Sequence, residues 1–178
     1  MKSITKKLLI VGCLLWANAS FSCSCGEEGS VEESFAGADI VIHGTAVQRS
    51  YTTIKETLNP NLGDSLEELV SIRDKDLLNS ELATKIQVQV NKIYNGKVIS
   101  DTVKVYTARQ SSAFGYTQFK IGEEYIIYGD KESYFSSMML YEKIADSEKN
   151  GTFWTNQCTR TTSYNELEAN QLDRLAKN

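Results

Sequence analysis

The residues best suited to chemistry in this 178-residue chain are four cysteines and one histidine. The cysteines are Cys13, Cys23, Cys25 and Cys158, and the histidine is His43. No two cysteines form the C-x2-C pair of a structural zinc site, and His43 is not near any of them in sequence. The spacing argues against an internal zinc site, and we predict no cofactor. We expect His43, within an apolar strand, to be a hydrogen-bonded barrel residue.

The first 22 residues have the pattern of a secretory signal. A basic start at Lys2, Lys6 and Lys7 precedes the apolar run 8–17, and small residues suited to a signal peptidase follow. The apolar run is too short to cross a bilayer as a helix, and no later run is as long, so we expect no membrane span. The sequence predicts an exported protein, secreted or periplasmic, whose single domain is residues 23–178.

Removal of this signal would change two counts that bear on function. It takes Cys13 and leaves three cysteines in a compartment that permits disulfides, so one thiol is free, modified or paired with another molecule. It also takes three of the 19 Lys and Arg, so 16 remain against 23 Asp and Glu. Because the balance is acidic and no basic stripe carries interleaved aromatics, we predict no nucleic-acid partner.

Pairs of acidic residues are the remaining candidates for catalysis. They are Glu27-Glu28, Glu67-Glu68 and Glu123-Glu124. None has a second group at a motif spacing, and their turn-like neighbours favour solvated surface. The sequence shows no Ser-His-Asp or Cys-His set, no P-loop and no dinucleotide fingerprint. We therefore predict that the protein is not an enzyme.

Short strands between two terminal helices must position these residues. Ser30-Val-Glu-Glu33 has the pattern of a capping box and predicts a short helix to about Ala36. The polar segment 51–80, which holds the only proline, predicts a long inserted loop with partial helix. Apolar runs and alternation predict strands at 39–47, bent at Gly44, and at 85–94, 102–107 and 125–128, with 138–141 and 152–154 together as a fifth strand pair.

The chain is predicted to close with a second capping box, Ser163-Tyr-Asn-Glu166, and a helix. Five short strands flanked by helices indicate an all-β fold with a small closed or partly open barrel, of which the five-stranded OB type is one choice. Three aromatic residues are expected to pack in the barrel core or between strands rather than to form an exposed contact surface: Phe114, Tyr116 and Phe119. The apolar face of the last helix is predicted to consist of Tyr164, Leu167, Leu172 and Leu175.

Five segments follow the predicted signal in this order: Cys23-Ser-Cys25, residues 34–47, Ser112-Ala-Phe-Gly-Tyr116, Gly122-Glu-Glu-Tyr-Ile-Ile-Tyr128 and Asn156-Gln-Cys-Thr-Arg160. Together they resemble the tissue inhibitors of metalloproteinases. In the same order, they are similar to that family's C-x-C start, first strand, C-G-Y segment, E-[EY]-[LFY]-[IL] strand and the cysteine before the last helix. The resemblance covers residues 23–175 apart from the insertion, and it implies a netrin-like OB barrel equal to the inhibitory N-terminal domain alone.

The resemblance also implies a way of acting on a partner, a zinc metalloprotease. In the family, the amine and carbonyl oxygen of the first residue chelate the catalytic zinc of the protease, at the position that water otherwise holds. The matching residue is Cys23, which would bind metal only in trans, and Ser24 would enter the pocket of the protease. An α-amine with a pKa of about 7.7 to 8.0 loses its proton readily near neutral pH. The rest of this inhibitory edge would be Cys25, Ala113, Phe114, Gly115 and Tyr116.

The same resemblance implies a disulfide between Cys25 and Cys158. The residues by themselves leave a bond from Cys23 to Cys158 open, whereas a bond from Cys23 to Cys25 would close a strained ring. Two positions depart from the family. Phe114 stands where the family has the cysteine that bonds the first residue, and Ala36 also stands where the family has a cysteine.

Cys23 has other interpretations besides zinc chelation. Ser22 fits the position before the lipidated cysteine of a bacterial lipoprotein signal, although Ser20 stands where a leucine is usual. Lipidation would normally acylate the α-amine and so prevent chelation. The second hypothesis is therefore a lipoprotein anchored through Cys23 to the outer or inner envelope membrane, with the barrel as a structural or adaptor module. A third is a thiol without a role.

Overall fold

The protein is described by a computed structural model, which covers residues 25, 29–58, 63–64, 67–68, 71–110, 115–131 and 152–177. The predicted signal 1–22 lies outside the described residues, as do the predicted strand 138–141 and most of 59–70. In the part that is described, no helix is long and apolar enough to cross a membrane.

One mixed sheet with flanking helices forms the described structure, which confirms the predicted class. Its order is β5-β3-β2-β1-β4-β6, and only the β3–β5 pair is parallel. The sheet exceeds the predicted five strands because the two residues of β6 pair with β4. The strands are β1 (Ile40–Thr52), β2 (Ala83–Asn95), β3 (Thr102–Ala108), β4 (Glu124–Gly129), β5 (Thr152–Trp154) and β6 (Thr162–Ser163). The helices are α1 (Val31–Gly37), α2 (Ile54–Thr57), α3 (Ile72–Leu78) and α4 (Glu166–Leu175).

Helix α1 begins where the sequence predicts, at a capping box. The Glu33 amide donates to Ser30 Oγ at 3.1 Å, and the Ser30 amide donates to the Glu33 carboxylate at 2.8 Å. Each bond satisfies an amide that the first helical turn cannot pair. The bonds from the Ser30 backbone and hydroxyl also hold the pKa of Glu33 below its usual value.

Helix α4 begins differently from the prediction. Its N-cap is Asn165, whose side chain accepts from the Glu168 amide at 2.8 Å. The predicted cap at Ser163 is wrong, because Ser163 belongs to β6 and pairs with Tyr125 of β4. Leu167 was predicted on the apolar face and is 82% exposed. The buried face instead centres on Glu168, Ala169 and Leu172, and Leu167 lies at the far edge of the predicted arc.

Strand β1 bends at Gly44 as predicted, with a register shift between His43 and Gly44. A Cβ on Gly44 would lie 2.7 Å from the carbonyl oxygen of Gln89, so only glycine fits this close approach. The strand continues to Thr52, so its pairing with β2 reaches two residues into the segment predicted as the 51–80 insertion. The rest of that segment contains α2 and α3.

The first part of β1, at residues 40–42, and strand β4 are buried on both faces, which explains their continuous apolar runs. One face of these two strands belongs to an interior cluster, and every strand from β1 to β5 supplies a residue to that cluster. The opposite face packs against α1 and α4. The interior cluster includes Ile42, Val88, Val105, Ile127 and Phe153. The outer cluster includes Val31, Val41, Ile126, Tyr128, Ala169 and Leu172.

Candidate functional site

A disulfide fixes the start of the described chain to the turn that follows β5. Cys25 and Cys158 are bonded across a sequence separation of 133 residues, with Cα atoms 5.2 Å apart. This is the pairing that the family resemblance implies. The turn is shaped by Asn156, whose side-chain oxygen accepts from the amides of Cys158 at 2.7 Å and Thr159 at 3.0 Å. Cys25, two positions after Cys23, is therefore anchored to the turn that follows β5.

The second part of the predicted inhibitory edge, residues 113–116, is described at Gly115 and Tyr116, where the chain packs against the end of β3. The Gly115 amide donates to the carbonyl oxygen of Gln110 at 2.9 Å, and the Tyr116 amide donates to Thr107 Oγ1 at 2.7 Å. A Cβ on Gly115 would lie only 1.9 Å from the carbonyl oxygen of Ala108. The backbone at residue 115 thus touches the last residue of β3, which glycine alone allows.

The disulfide turn and this segment follow two strands that pair with each other. In the parallel pair of β3 and β5, Tyr106 lies opposite Trp154, and the Thr155 amide donates to the carbonyl oxygen of Tyr106 at 2.9 Å. The turn with Cys158 comes after the C-terminal end of β5, and the segment at Gly115 contacts the C-terminal end of β3. The two parts of the predicted edge therefore follow neighbouring strands.

Tyr116 lies in the interior of the protein and supports the segment from inside. Its ring is 8% exposed and meets the rings of Phe119 and Tyr125 edge to face, with centroids 4.8 and 6.5 Å away. Burial raises the pKa of the Tyr116 phenol to about 12. Core packing is thus confirmed for Tyr116 and Phe119. Four residues of the predicted edge lie outside the described residues: Cys23, Ser24, Ala113 and Phe114.

A buried ion pair holds the chain that follows Cys25. Arg160 donates from Nε to Glu168 Oε1 at 3.0 Å, from Nη2 to Glu168 Oε2 at 3.3 Å, and from Nη1 to the carbonyl oxygen of Gly29 at 2.9 Å. Tyr128 donates its hydroxyl to Glu168 Oε1 at 2.8 Å. Burial, and then the bond to Glu168, raise the pKa of Tyr128. The sequence reasoning missed this cluster, although Asn165-Glu-Leu-Glu168 has the N-cap spacing that could have placed Glu168 on the first turn.

Three threonine hydroxyls also hold this turn, through hydrogen bonds that do not involve the disulfide. Thr155 Oγ1 lies 2.7 Å from Thr159 Oγ1 and 2.6 Å from Thr161 Oγ1. Thr161 Oγ1 also accepts from the Tyr128 amide at 3.0 Å and donates to the Tyr128 carbonyl at 3.1 Å. Hydroxyl groups that both donate and accept can complete such a buried chain. The turn is therefore tied to β4 independently of Cys158.

A cavity of about 200 Å³ lies between α1 and the disulfide turn. Its charged wall includes Arg160, whose guanidinium is engaged by Glu168 and Gly29. Because the positive charge of Arg160 is already paired with Glu168, we do not expect Arg160 to bind an anionic ligand in this cavity. The lining residues are Ser34, Gly37, Ala38, Tyr128, Asp130, Cys158, Thr159 and Arg160.

His43 lies on the outer side of the sheet and makes the hydrogen bonds expected of it. Its Nε2 is 3.1 Å from Glu124 Oε2, and its ring stacks on Tyr164 with centroids 4.2 Å apart. Glu123, the other member of that acidic pair, lies 3.3 Å from the Lys120 ammonium at the surface. Within the described ranges, no group of three or more His, Cys, Asp or Glu could hold a metal ion.

Three contacts each restrain a stretch of backbone near the predicted edge: the disulfide, the Arg160 ion pair and the close approach of Gly115 to β3. Fixed backbone lowers the conformational entropy that a contact surface loses on binding. Comparison with known protein families and with curated proteins finds no match to this chain.

Proposed function

We propose that the mature chain is an exported, non-catalytic inhibitor of a zinc metalloprotease, with Cys23 as the residue that binds the zinc of the partner. The observation that carries the proposal is the anchor at Cys25, which is bonded to the turn after β5. Two residues of extended chain span at most about 7 Å, so Cys23 stays close to that anchor. The predicted second segment contacts, at Gly115, the end of β3, the strand that pairs with β5.

The chemistry of the proposal needs only backbone atoms of Cys23. Its α-amine, once deprotonated, and its carbonyl oxygen form a five-membered chelate ring on the zinc ion of the protease. That ion keeps one open position for water or substrate, which the chelating residue would occupy. Because the protein supplies no group that reacts, the complex would be a stable block rather than a turnover intermediate. Phe114 replaces a clamping cysteine of the family, so the anchor at Cys25 is the restraint that remains next to Cys23.

The proposed fold is the five-stranded OB barrel of the same family. Asp130, directly after β4, and Trp154 of β5 exchange two backbone hydrogen bonds of 2.9 and 2.7 Å. Contact between β4 and β5 would complete a ring in the order β1-β2-β3-β5-β4, with β6 as a short addition on β4. The interior cluster supports this arrangement, since each of these five strands supplies a side chain to it.

A free and a blocked N-terminus test the proposal directly. Protein purified after export, with a free Cys23 amine verified by mass spectrometry, is assayed at micromolar concentration against zinc metalloproteases, including those that the same organism secretes. We expect inhibition by this protein. The matched control carries one extra alanine before Cys23, which moves the amine without changing the fold, and it should not inhibit. A free amine that leaves every protease active, or equal inhibition by the extended chain, would contradict the proposal.

The second candidate is a lipoprotein anchored through Cys23. It is favoured by Ser22 before Cys23 and by the pairing of Cys25 with Cys158, which leaves Cys23 without a cysteine partner in the mature chain. Mass spectrometry of the native N-terminus separates the two functions. An acylated Cys23 supports the anchor, whereas an unmodified amine supports the inhibitor, because acylation removes the chelating group.

A further inference from the structure

The outer face of the sheet carries a polar cleft that the proposed inhibitory function does not use. The cleft has a volume of about 200 Å³, roughly the share of six or seven water molecules in the liquid. Two of its lining side chains are lysines, and the others are amides and a hydroxyl. The lining residues are Gln48, Ser50, Lys85, Gln87 and Lys104.

The register of three neighbouring strands places these residues on one face. Ser50 of β1 lies opposite Lys85 of β2, and Gln48 lies opposite Gln87, which in turn lies opposite Lys104 of β3. The alternate residues of β2 and β3, such as Ile86 and Val105, are fully buried on the interior face. Lys85 and Lys104 are therefore diagonal neighbours across the β2–β3 pair, with Cβ atoms about 7–8 Å apart or slightly less.

This face places two like charges together, and none of the described residues that line the cleft is acidic. Among the described residues, no side chain forms a hydrogen bond or ion pair with Lys85, Lys104 or Gln87. Lys85 acts weakly on one acidic group, Glu56 of α2, whose pKa is lowered mainly by a bond from Thr52 and least by the charge of Lys85. Its carboxylate accepts from Thr52 Oγ1 at 2.6 Å. Neighbouring like charges on a sheet destabilise it unless an opposite charge joins them.

We propose that this cleft binds a small oxyanion, that is, a carboxylate, sulfate or phosphate group. The two ammonium groups supply opposite charge from two sides, and the amide of Gln87 donates between them. Gln48 and Ser50 supply donors from the neighbouring strand β1. Since the cleft is open to solvent, its ion pairs are screened, and we expect a dissociation constant on the order of 1 mM that rises with salt. This site lies on a face of the sheet, whereas the two parts of the proposed inhibitory edge follow β3 and β5.

The binding is measured by nuclear magnetic resonance on the exported protein labelled with ¹⁵N. Sodium phosphate, sodium sulfate and sodium acetate are titrated separately at constant ionic strength, and the amide signals of residues 48–50, 85–87 and 104 are followed. We expect a saturable shift of these signals with at least one of the three anions. The anion that gives the lowest dissociation constant identifies the preferred group.

Charge-matched variants show whether the cleft is responsible. Lys85→Gln with Lys104→Gln should raise the dissociation constant at least tenfold, and each single change should raise it less. Lys97→Gln is the control, because Lys97 is an exposed lysine in the turn between β2 and β3 and lies outside the cleft. The proposal is overturned if the shifts never saturate, if the double variant binds as tightly as the unmodified protein, or if Lys97→Gln weakens binding equally. None of these outcomes depends on protease inhibition.

Discussion

At the level of single residues, Glu168 makes the contacts that join three separate parts of the chain. Its carboxylate accepts from Arg160 and from the hydroxyl of Tyr128, and Arg160 in turn reaches the carbonyl oxygen of Gly29. The Glu168 side chain is 8% exposed and that of Arg160 is 23% exposed. A charge this buried is stable in the fold only because its partner and its hydrogen bonds are in place.

We predict that Glu168→Ala lowers the free energy of unfolding by about 3 kcal/mol. This is the lower end for a broken buried ion pair, because the remaining guanidinium of Arg160 is partly exposed to water. The measurement is urea unfolding followed by circular dichroism. Glu166→Ala is the control on the same helix, since Glu166 is exposed, and it should cost much less. Equal losses in the two variants would show that the ion pair contributes nothing specific.

At the level of elements, Gly115 lets the segment at residues 115–116 pack against the end of β3. Gly115 lies so close to β3 that a Cβ would be 1.9 Å from the carbonyl oxygen of Ala108 and 2.8 Å from that of Gln110. Backbone atoms cannot move aside as a flexible side chain would. The approach of the segment to the sheet therefore depends on the absence of a side chain at this position.

We predict that Gly115→Ala destabilises the protein by about 1–3 kcal/mol, the usual cost of forcing extra volume into a packed site. Thermal or urea unfolding measures the loss. Gly37→Ala is the matched control, because a Cβ there meets no atom within 4 Å. Gly37 also ends α1, so alanine should leave the stability unchanged or raise it slightly. A Gly115→Ala protein as stable as Gly37→Ala would refute the close approach.

At the level of the whole molecule, the disulfide closes a loop that contains nearly all of the described chain. Its two cysteines are separated by 133 residues, and it joins the segment before α1 to the turn after β5. In the chain-entropy description, a loop of this length restricts the unfolded state by up to about 5 kcal/mol. The same bond anchors Cys25, two residues after Cys23, which makes the proposed zinc contact.

We predict that replacing both Cys25 and Cys158 by serine lowers the free energy of unfolding by about 2–4 kcal/mol, the typical measured value for a native disulfide. Urea unfolding with and without a reductant measures it. Reduction should destabilise the unmodified protein to a similar extent and leave the double variant unchanged. If reduction leaves the unmodified protein as stable as before, the disulfide does not support the fold.

The sequence by itself determined the features that depend on neighbouring residues. The capping box at Ser30, the bend at Gly44 and the alternation that builds β2 and β3 follow from local hydrogen bonding and from the two-residue period of a strand. The core positions of Tyr116 and Phe119 followed from their aromatic character. Caps, bends and strand alternation depend on residues close together in the chain, so a single sequence contains the information needed to predict them.

Only the tertiary structure decided which distant residues meet. Ser163-Tyr-Asn-Glu166 has a good local cap pattern, yet pairing with β4 takes Ser163 into β6 and leaves Asn165 as the cap. The burial of Glu168 beside Arg160, and the placing of Lys85 and Lys104 around one cleft, depend on packing and strand register across the sheet. The physical reason is that long-range contacts are set by strand order and by the closure of the core, and neither leaves a pattern in adjacent residues.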